Sequence, residues 1–141
     1  MKALKGKKTK HLVFAQQGLL EDSTWKSALK GYPTELVCRI RRELSSKIRG
    51  LNEKFNLRSR YFGYWTGNDK DRLYIYVQKK YLRIDLCIDG EHEKDVKKDG
   101  FEVVFVNNFQ ERANWLTGWR VPHTTEKIEN VLKWLWMAFG R

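Results

Sequence analysis

The sequence predicts an α+β domain: an antiparallel sheet of about four or five strands packed by an N-terminal and a C-terminal amphipathic helix. Three observations point to it. From Arg72 to Ile88 apolar residues recur at every second position, Leu73, Ile75 and Val77, then Leu82, Ile84, Leu86 and Ile88, on either side of Lys79-Lys80. Period two means strand, so this stretch is a β-hairpin with one apolar face. Between Pro33 and Gly50, Leu36, Val37, Ile40, Leu44 and Ile48 recur at three-to-four spacing, the period of a helix. The same spacing returns in Ile128, Val131, Leu132, Leu135 and Phe139.

Taken in order, Lys2, Lys5, Lys7, Lys8 and Lys10 stand in a segment with little to bury. Residues 1–10 therefore read as a basic flexible arm and 11–141 as a single α+β domain. His11 to Ala15 reads as an edge strand or an anchoring segment. Asp22 or Ser23 suits the cap of a short helix carrying Trp25, Ala28 and Leu29, ended by Gly31. The first long helix opens at Pro33-Thr34, and its outer face carries Arg39, Arg42, Lys47 and Arg49. Asn52 to Arg60 continues the basic character through Lys54, Arg58 and Arg60.

Tyr61 to Trp65 reads as a strand that stops at the turn signal Gly67-Asn68-Asp69. In the hairpin, Lys79-Lys80 lacks the glycine of a tight primed turn, so its loop is expected to be a residue or two longer. Residues 89–100 read as a charged surface loop, Phe101 to Val106 as a strand, and the segment through Trp115, Gly118, Trp119 and Pro122 as a short strand or structured loop. Thr124 or Thr125 is the expected cap of the final helix, with Glu126 favourably placed at its N-terminal dipole.

Charge is the strongest functional signal. The net charge is +11, of which residues 1–10 carry +5 and residues 26–60 carry +7. Such asymmetry suits a polyanion, most often nucleic acid. Its alternatives are a solubility function for the arm and an ordinary solvated face for the helix. No apolar run approaches the ~20 residues of a membrane helix, and nothing resembles a secretory signal, so no membrane partner and a cytoplasmic location are expected. Cys38 and Cys87 form no paired motif, which suits buried or half-buried thiols.

No catalytic motif stands out, and no cofactor or metal is implied. His11, His92 and His123 lie far apart in sequence. A metal-dependent nuclease needs clustered carboxylates with a lysine nearby. Asp71 with Gln78 and Lys80, or Asp85 and Asp89 with Glu91 and Lys94, fits that pattern poorly. Basic and aromatic residues make the better constellation. Tyr74 and Tyr76 lie opposite the apolar face of the hairpin, and Arg83 shares their side on the neighbouring strand, so an open sheet there would stack bases and neutralise phosphates. A helix over that face would instead make the tyrosines core residues. Tyr61, Tyr64, Trp65, Trp115 and Trp119 pose the same choice.

The order of these features resembles a known family. A tyrosine-bearing strand (Tyr61, Tyr64), a hairpin with a lysine pair before its second strand (Lys79, Lys80), and a Trp-x-x-Gly segment (Trp115, Gly118) before a terminal helix are similar to a family of small α+β domains of unknown function. Some of its members carry the older label of predicted transport proteins. The likeness covers residues 36–141 or thereabouts; it departs from the family at Trp119-Arg120-Val121-Pro122, where the family usually continues a strand. What it implies is an accessory role beside restriction-type nucleases, with DNA rather than RNA as the partner, and it supplies no catalytic residues. The expected function is thus a non-catalytic nucleic-acid-binding accessory domain. Its expected contacts are Lys7, Lys8, Arg39, Arg42, Arg49, Arg58, Arg60, Tyr74, Tyr76, Lys79, Lys80, Trp119 and Arg120. The alternative is a protein-interaction or regulatory module.

Overall fold

A computed structural model of the chain describes residues 13–88, 92–109 and 112–139. Its strands are β1 (Val13–Gln17), β2 (Leu51–Asn56), β3 (Tyr61–Thr66), β4 (Leu73–Val77), β5 (Tyr81–Leu86), β6 (Glu102–Phe109) and β7 (Arg112–Pro122). They form one seven-stranded sheet in the order β1-β2-β3-β4-β5-β7-β6, with every neighbouring pair antiparallel. Four helices accompany it among the described residues: α1 (Asp22–Trp25), α2 (Glu35–Lys47), α3 (Glu93–Lys98) and α4 (Ile128–Met137). No helix among the described residues is long and apolar enough to cross a membrane.

The register sorts the side chains into two layers. Phe55, Phe62, Ile75, Ile84 and Trp119 lie opposite one another across five adjacent strands, and all five are fully buried. This face meets the helices. Trp25 of α1 packs edge-on against Phe62, and Val37, Ile40 and Leu44 of α2, Val96 of α3 and Val131 and Leu135 of α4 belong to the same core. Two further contacts dock α4: Trp134 Nε1 donates to Asp99 Oδ2 at 2.7 Å, and Lys133 Nζ lies 2.8 Å from the same oxygen. Hydrogen bonds from Lys133 and Trp134 hold the Asp99 carboxyl below the usual carboxylate range.

Seven strands replace the four or five expected, and β2 is the one the apolar pattern conceals. Leu51 and Phe55 point inward, but the inward position between them is Glu53, which is completely buried. A carboxylate there needs partners. Arg41 of α2 supplies a bidentate pair, Nε to Oε2 and Nη2 to Oε1 at 2.8 Å each. The Leu20 amide donates to Oε1 at 2.7 Å and the Tyr64 hydroxyl to Oε2 at 2.5 Å. The guanidinium also lies 5.0 Å from the ring centroids of Trp25 and Phe62. Burial pulls the Arg41 pKa down, but the hydrogen bonds and charge of Glu53 outweigh it and hold the side chain protonated.

Tyr64 makes this core sensitive to alkali. Burial first, then the charge and hydrogen bond of Glu53, raise its hydroxyl well above the ordinary 10.0. Above pH 10 the unfolded chain gives up this proton and the native one keeps it. Stability from Tyr64 is therefore full below about pH 10 and falls by up to about 1.4 kcal/mol per pH unit above it. Urea midpoints between about pH 9 and 11 should decline less steeply in Tyr64→Phe than in the wild type; equal slopes would show that Tyr64 ionises as freely native as unfolded.

Other boundaries shift too. The hairpin loop is Gln78–Lys80, one residue longer than the lysine pair. Part of the expected 89–100 loop is helix α3, whose Val96 is fully buried. The expected short strand or loop near Trp115 is the eleven-residue β7. Helix α4 begins at Ile128 without a side-chain cap; the Thr125 hydroxyl instead accepts from the Lys127 amide at 3.1 Å, just ahead of it.

Candidate nucleic-acid interface

The second face of the sheet carries a different chemistry. Asn56, Tyr61, Tyr76, Arg83 and Arg120 lie opposite one another across β2, β3, β4, β5 and β7. Tyr61, Tyr76 and Arg83 are half-buried and Arg120 is exposed. Tyr61 and Tyr76 have ring centroids 5.0 Å apart, and Arg83 lies 4.8 Å from the Tyr76 centroid. The helices pack on the opposite face, so Tyr74 and Tyr76 lie outside the hydrophobic core they would have joined beneath a helix. Tyr74 is nevertheless 7% exposed, because Tyr61 meets it edge-on and Trp115 stacks on it with centroids 5.5 Å apart.

Beside this row the turns after β2 and β4 come together. In the first, Asn56 accepts from Ser59 through its side chain at 2.7 Å and from the Arg60 amide through its carbonyl at 2.8 Å. Arg60 is left in the left-handed region with φ 54°, a conformation costing a non-glycine residue about 1 kcal/mol or more. Its guanidinium lies 5.0 Å from the Tyr32 centroid, and Lys79 Nζ from the second turn lies 4.5 Å from the same ring. Arg120 lies 5.1 Å from the Tyr81 ring. Lys80, Arg120, Tyr81 and Phe101 line a cleft of about 440 Å³ at this end.

None of Arg58, Arg60, Lys79 and Lys80 pairs with a carboxylate among the described residues, whereas Arg120 lies opposite Glu102 in the β6–β7 register. Arg41, Lys54, Arg83 and Lys133 do pair with one. The turn end therefore gathers cations without carboxylate partners among the described residues, two of them, Arg60 and Lys79, over Tyr32 where it packs against the helix-side core.

The residues expected to contact nucleic acid divide accordingly. Tyr76, Arg120, Arg58, Arg60, Lys79 and Lys80 gather at the turn end. Arg39 and Arg42 lie around the corner in the helix layer, lining a cleft with His123, whose Nε2 donates to the Gln78 carbonyl at 2.6 Å. Arg49 follows α2 and precedes β2, at the opposite end of the sheet. Lys7 and Lys8 lie outside the described residues.

Trp119 is a correction: it is 0% exposed and packs against Phe101 in the core. The reason is a bulge. Gly118 adopts φ 76°, the β5–β7 register slips between Ile84 and Leu86, and the Gly118 amide donates to Asp85 Oδ1 at 2.9 Å. An added residue reverses side-chain parity. Leu116 and Trp119 consequently both enter the core while Trp115 stacks on Tyr74. Tyr32 and Tyr81 were missed because isolated tyrosines in a loop and at a strand start carry no periodic signal.

Carboxylates on this side are used in pairs with cations. Arg83 Nη2 lies 3.2 Å from Asp85 and Lys54 Nζ lies 2.6 Å from Asp71. No group of three His, Cys, Asp or Glu among the described residues is placed to hold a metal. No family model matches the chain, and neither a curated protein nor a solved structure matches it.

Proposed function

We propose that this protein binds single-stranded nucleic acid across the sheet face opposite its helices. The observation that carries this reading is the row Tyr61, Tyr76, Arg83 and Arg120 on four adjacent strands, next to four cations, Arg58, Arg60, Lys79 and Lys80, without carboxylate partners among the described residues. Aromatic side chains on a sheet offer π-faces to unstacked bases, whereas the bases of a duplex are stacked inside it. Arginine and lysine at the turn end would then take the phosphates, with guanidinium groups matching phosphate oxygens in pairs. Arg60 fits this role better than a structural one, since glycine would occupy its left-handed position at lower cost.

Fluorescence anisotropy with labelled single-stranded and duplex DNA and RNA over a salt series tests the reading. Single strands should bind more tightly than duplexes, with affinity falling linearly in log-log form as salt rises. Equal affinity for duplex, or no binding near physiological salt, would overturn it. A second reading, a protein-interaction module, is favoured by one observation: Val13 and Phe14 on edge strand β1 are 41% and 37% exposed, and sheet edges recruit further strands.

A further inference from the structure

At the end of the same face away from the turns lies a cleft of about 610 Å³, lined in part by Lys70, Asp71, Arg72, Tyr74 and Trp115. Its size suits a small planar group. Four residues of β4 and its approach, rising about 3.3 Å each, separate Arg72 from Tyr76. A strand lying on the Tyr61–Tyr76 row is therefore about 13 Å from the cleft.

Asp71 is the oriented group. Lys54 Nζ and the Tyr74 hydroxyl both lie 2.6 Å from its Oδ2. Lys54 reaches that position because Gly63 stands beneath it: a Cβ at residue 63 would lie 2.9 Å from Lys54 Cε and 3.3 Å from Tyr74 Cδ1. Oδ2 is therefore saturated, and Oδ1 has no donor among the described residues. Arg72 is fixed as well, its amide donating to the Tyr64 carbonyl at 2.8 Å and its Nη1 to the Ala138 carbonyl at 3.3 Å. The cleft thus combines a held carboxylate with one open acceptor and a held cation, lined besides by the buried Tyr74 and Trp115 rings stacked on each other.

We infer that this cleft takes one nucleobase bearing an exocyclic amine, adenine, cytosine or guanine, and discriminates against thymine and uracil. The inference rests on the proposed single-strand interface and adds base selectivity to it. An ionised carboxylate only accepts hydrogen bonds. The amine of cytosine or adenine gives it a donor, as in base readout elsewhere. Thymine and uracil offer one N–H between two carbonyl oxygens, which face the carboxylate with like partial charge.

The geometry also dictates how the preference is removed. In Asp71→Asn, Lys54 can only donate, so the amide oxygen must keep the Oδ2 position and the NH₂ group must turn into the cleft. The acceptor becomes a donor without loss of shape. Binding of equal-length dC and dT homopolymers at one salt concentration is the test, with circular dichroism to verify folding. The wild type should prefer dC by about tenfold, and in Asp71→Asn that ratio should fall to one or below. A ligand-side measurement guards against misfolding: dC whose amine is doubly N-methylated should lose the preference with the unaltered protein. Equal wild-type affinity for dC and dT, or an undiminished ratio in Asp71→Asn or with methylated dC, would overturn the inference and leave the interface standing. Absence of binding to both homopolymers would overturn the interface itself, and the inference with it.

Discussion

Replacing Arg60 by glycine and Lys79, Lys80 and Arg120 by glutamine should weaken single-strand binding several-hundredfold at about 0.1 M salt, since each lost phosphate contact removes ~0.7 from the log-log salt slope. The slope itself should fall by about 3. Both numbers follow from counterion release, so they must change together. The fold should not suffer, because Arg60, Lys79 and Lys80 pair with no carboxylate among the described residues and Arg120 is exposed. Glycine moreover relieves the left-handed backbone at position 60. Anisotropy titrations at several salt concentrations, with urea midpoints alongside, read all three quantities. An unchanged slope would place the phosphate contacts elsewhere. Arg49→Gln, at the far end of the sheet, serves as the control.

The second large effect is on stability. Arg41→Ala should cost about 3–5 kcal/mol, the range for breaking a buried pair from one side. Glu53 would keep the Leu20 amide and the Tyr64 hydroxyl as donors but lose its counter-charge in a fully buried position. The guanidinium between Trp25 and Phe62 would leave a void besides. Against a total of about 5–15 kcal/mol for a domain, that is a large share. Replacing Arg41 and Glu53 by methionine together with Tyr64→Phe should recover part of the loss, because apolar groups need no partner and the tyrosine hydroxyl is not left without its acceptor, while the Leu20 amide and carbonyl still lose theirs. Urea denaturation of the single and triple variants measures both. A cost below about 1 kcal/mol for Arg41→Ala would mean that water reaches Glu53.

What the sequence made legible was periodic. The β4–β5 hairpin, α2 and the apolar stripe of α4 each repeat a spacing long enough to exceed chance, and the register shows Tyr76 opposite Arg83 on the face read from that alternation. Legibility failed where one residue broke a pattern for a tertiary reason. Glu53 hid β2, since a charge at an inward position makes sense only once Arg41, twelve residues earlier, is known to meet it. Gly118 breaks the alternation of β7 toward β5, so nothing in the spacing of Trp115 and Trp119 tells that one stacks on Tyr74 and the other enters the core. The turn-end cluster was legible only as charge: the arginines and lysines were named, but Tyr32 joins Arg60 and Lys79 through the fold alone.

Gly118 also decides which length changes this chain tolerates. Remove that one residue and β7 would alternate without a bulge against β5, Leu116 and Trp119 keeping their inward faces; but β6 matches β7 residue for residue from Val103↔Trp119 to Val106↔Leu116, and that ladder would slip by one. The single-codon deletion would also strip Asp85 of its amide donor. The turn at 57–60 connects its strands outside the sheet, and a residue added there lengthens a loop without altering any strand's phase. Variation in length among descendants of this sequence should therefore collect in the turns and spare the centre of β7.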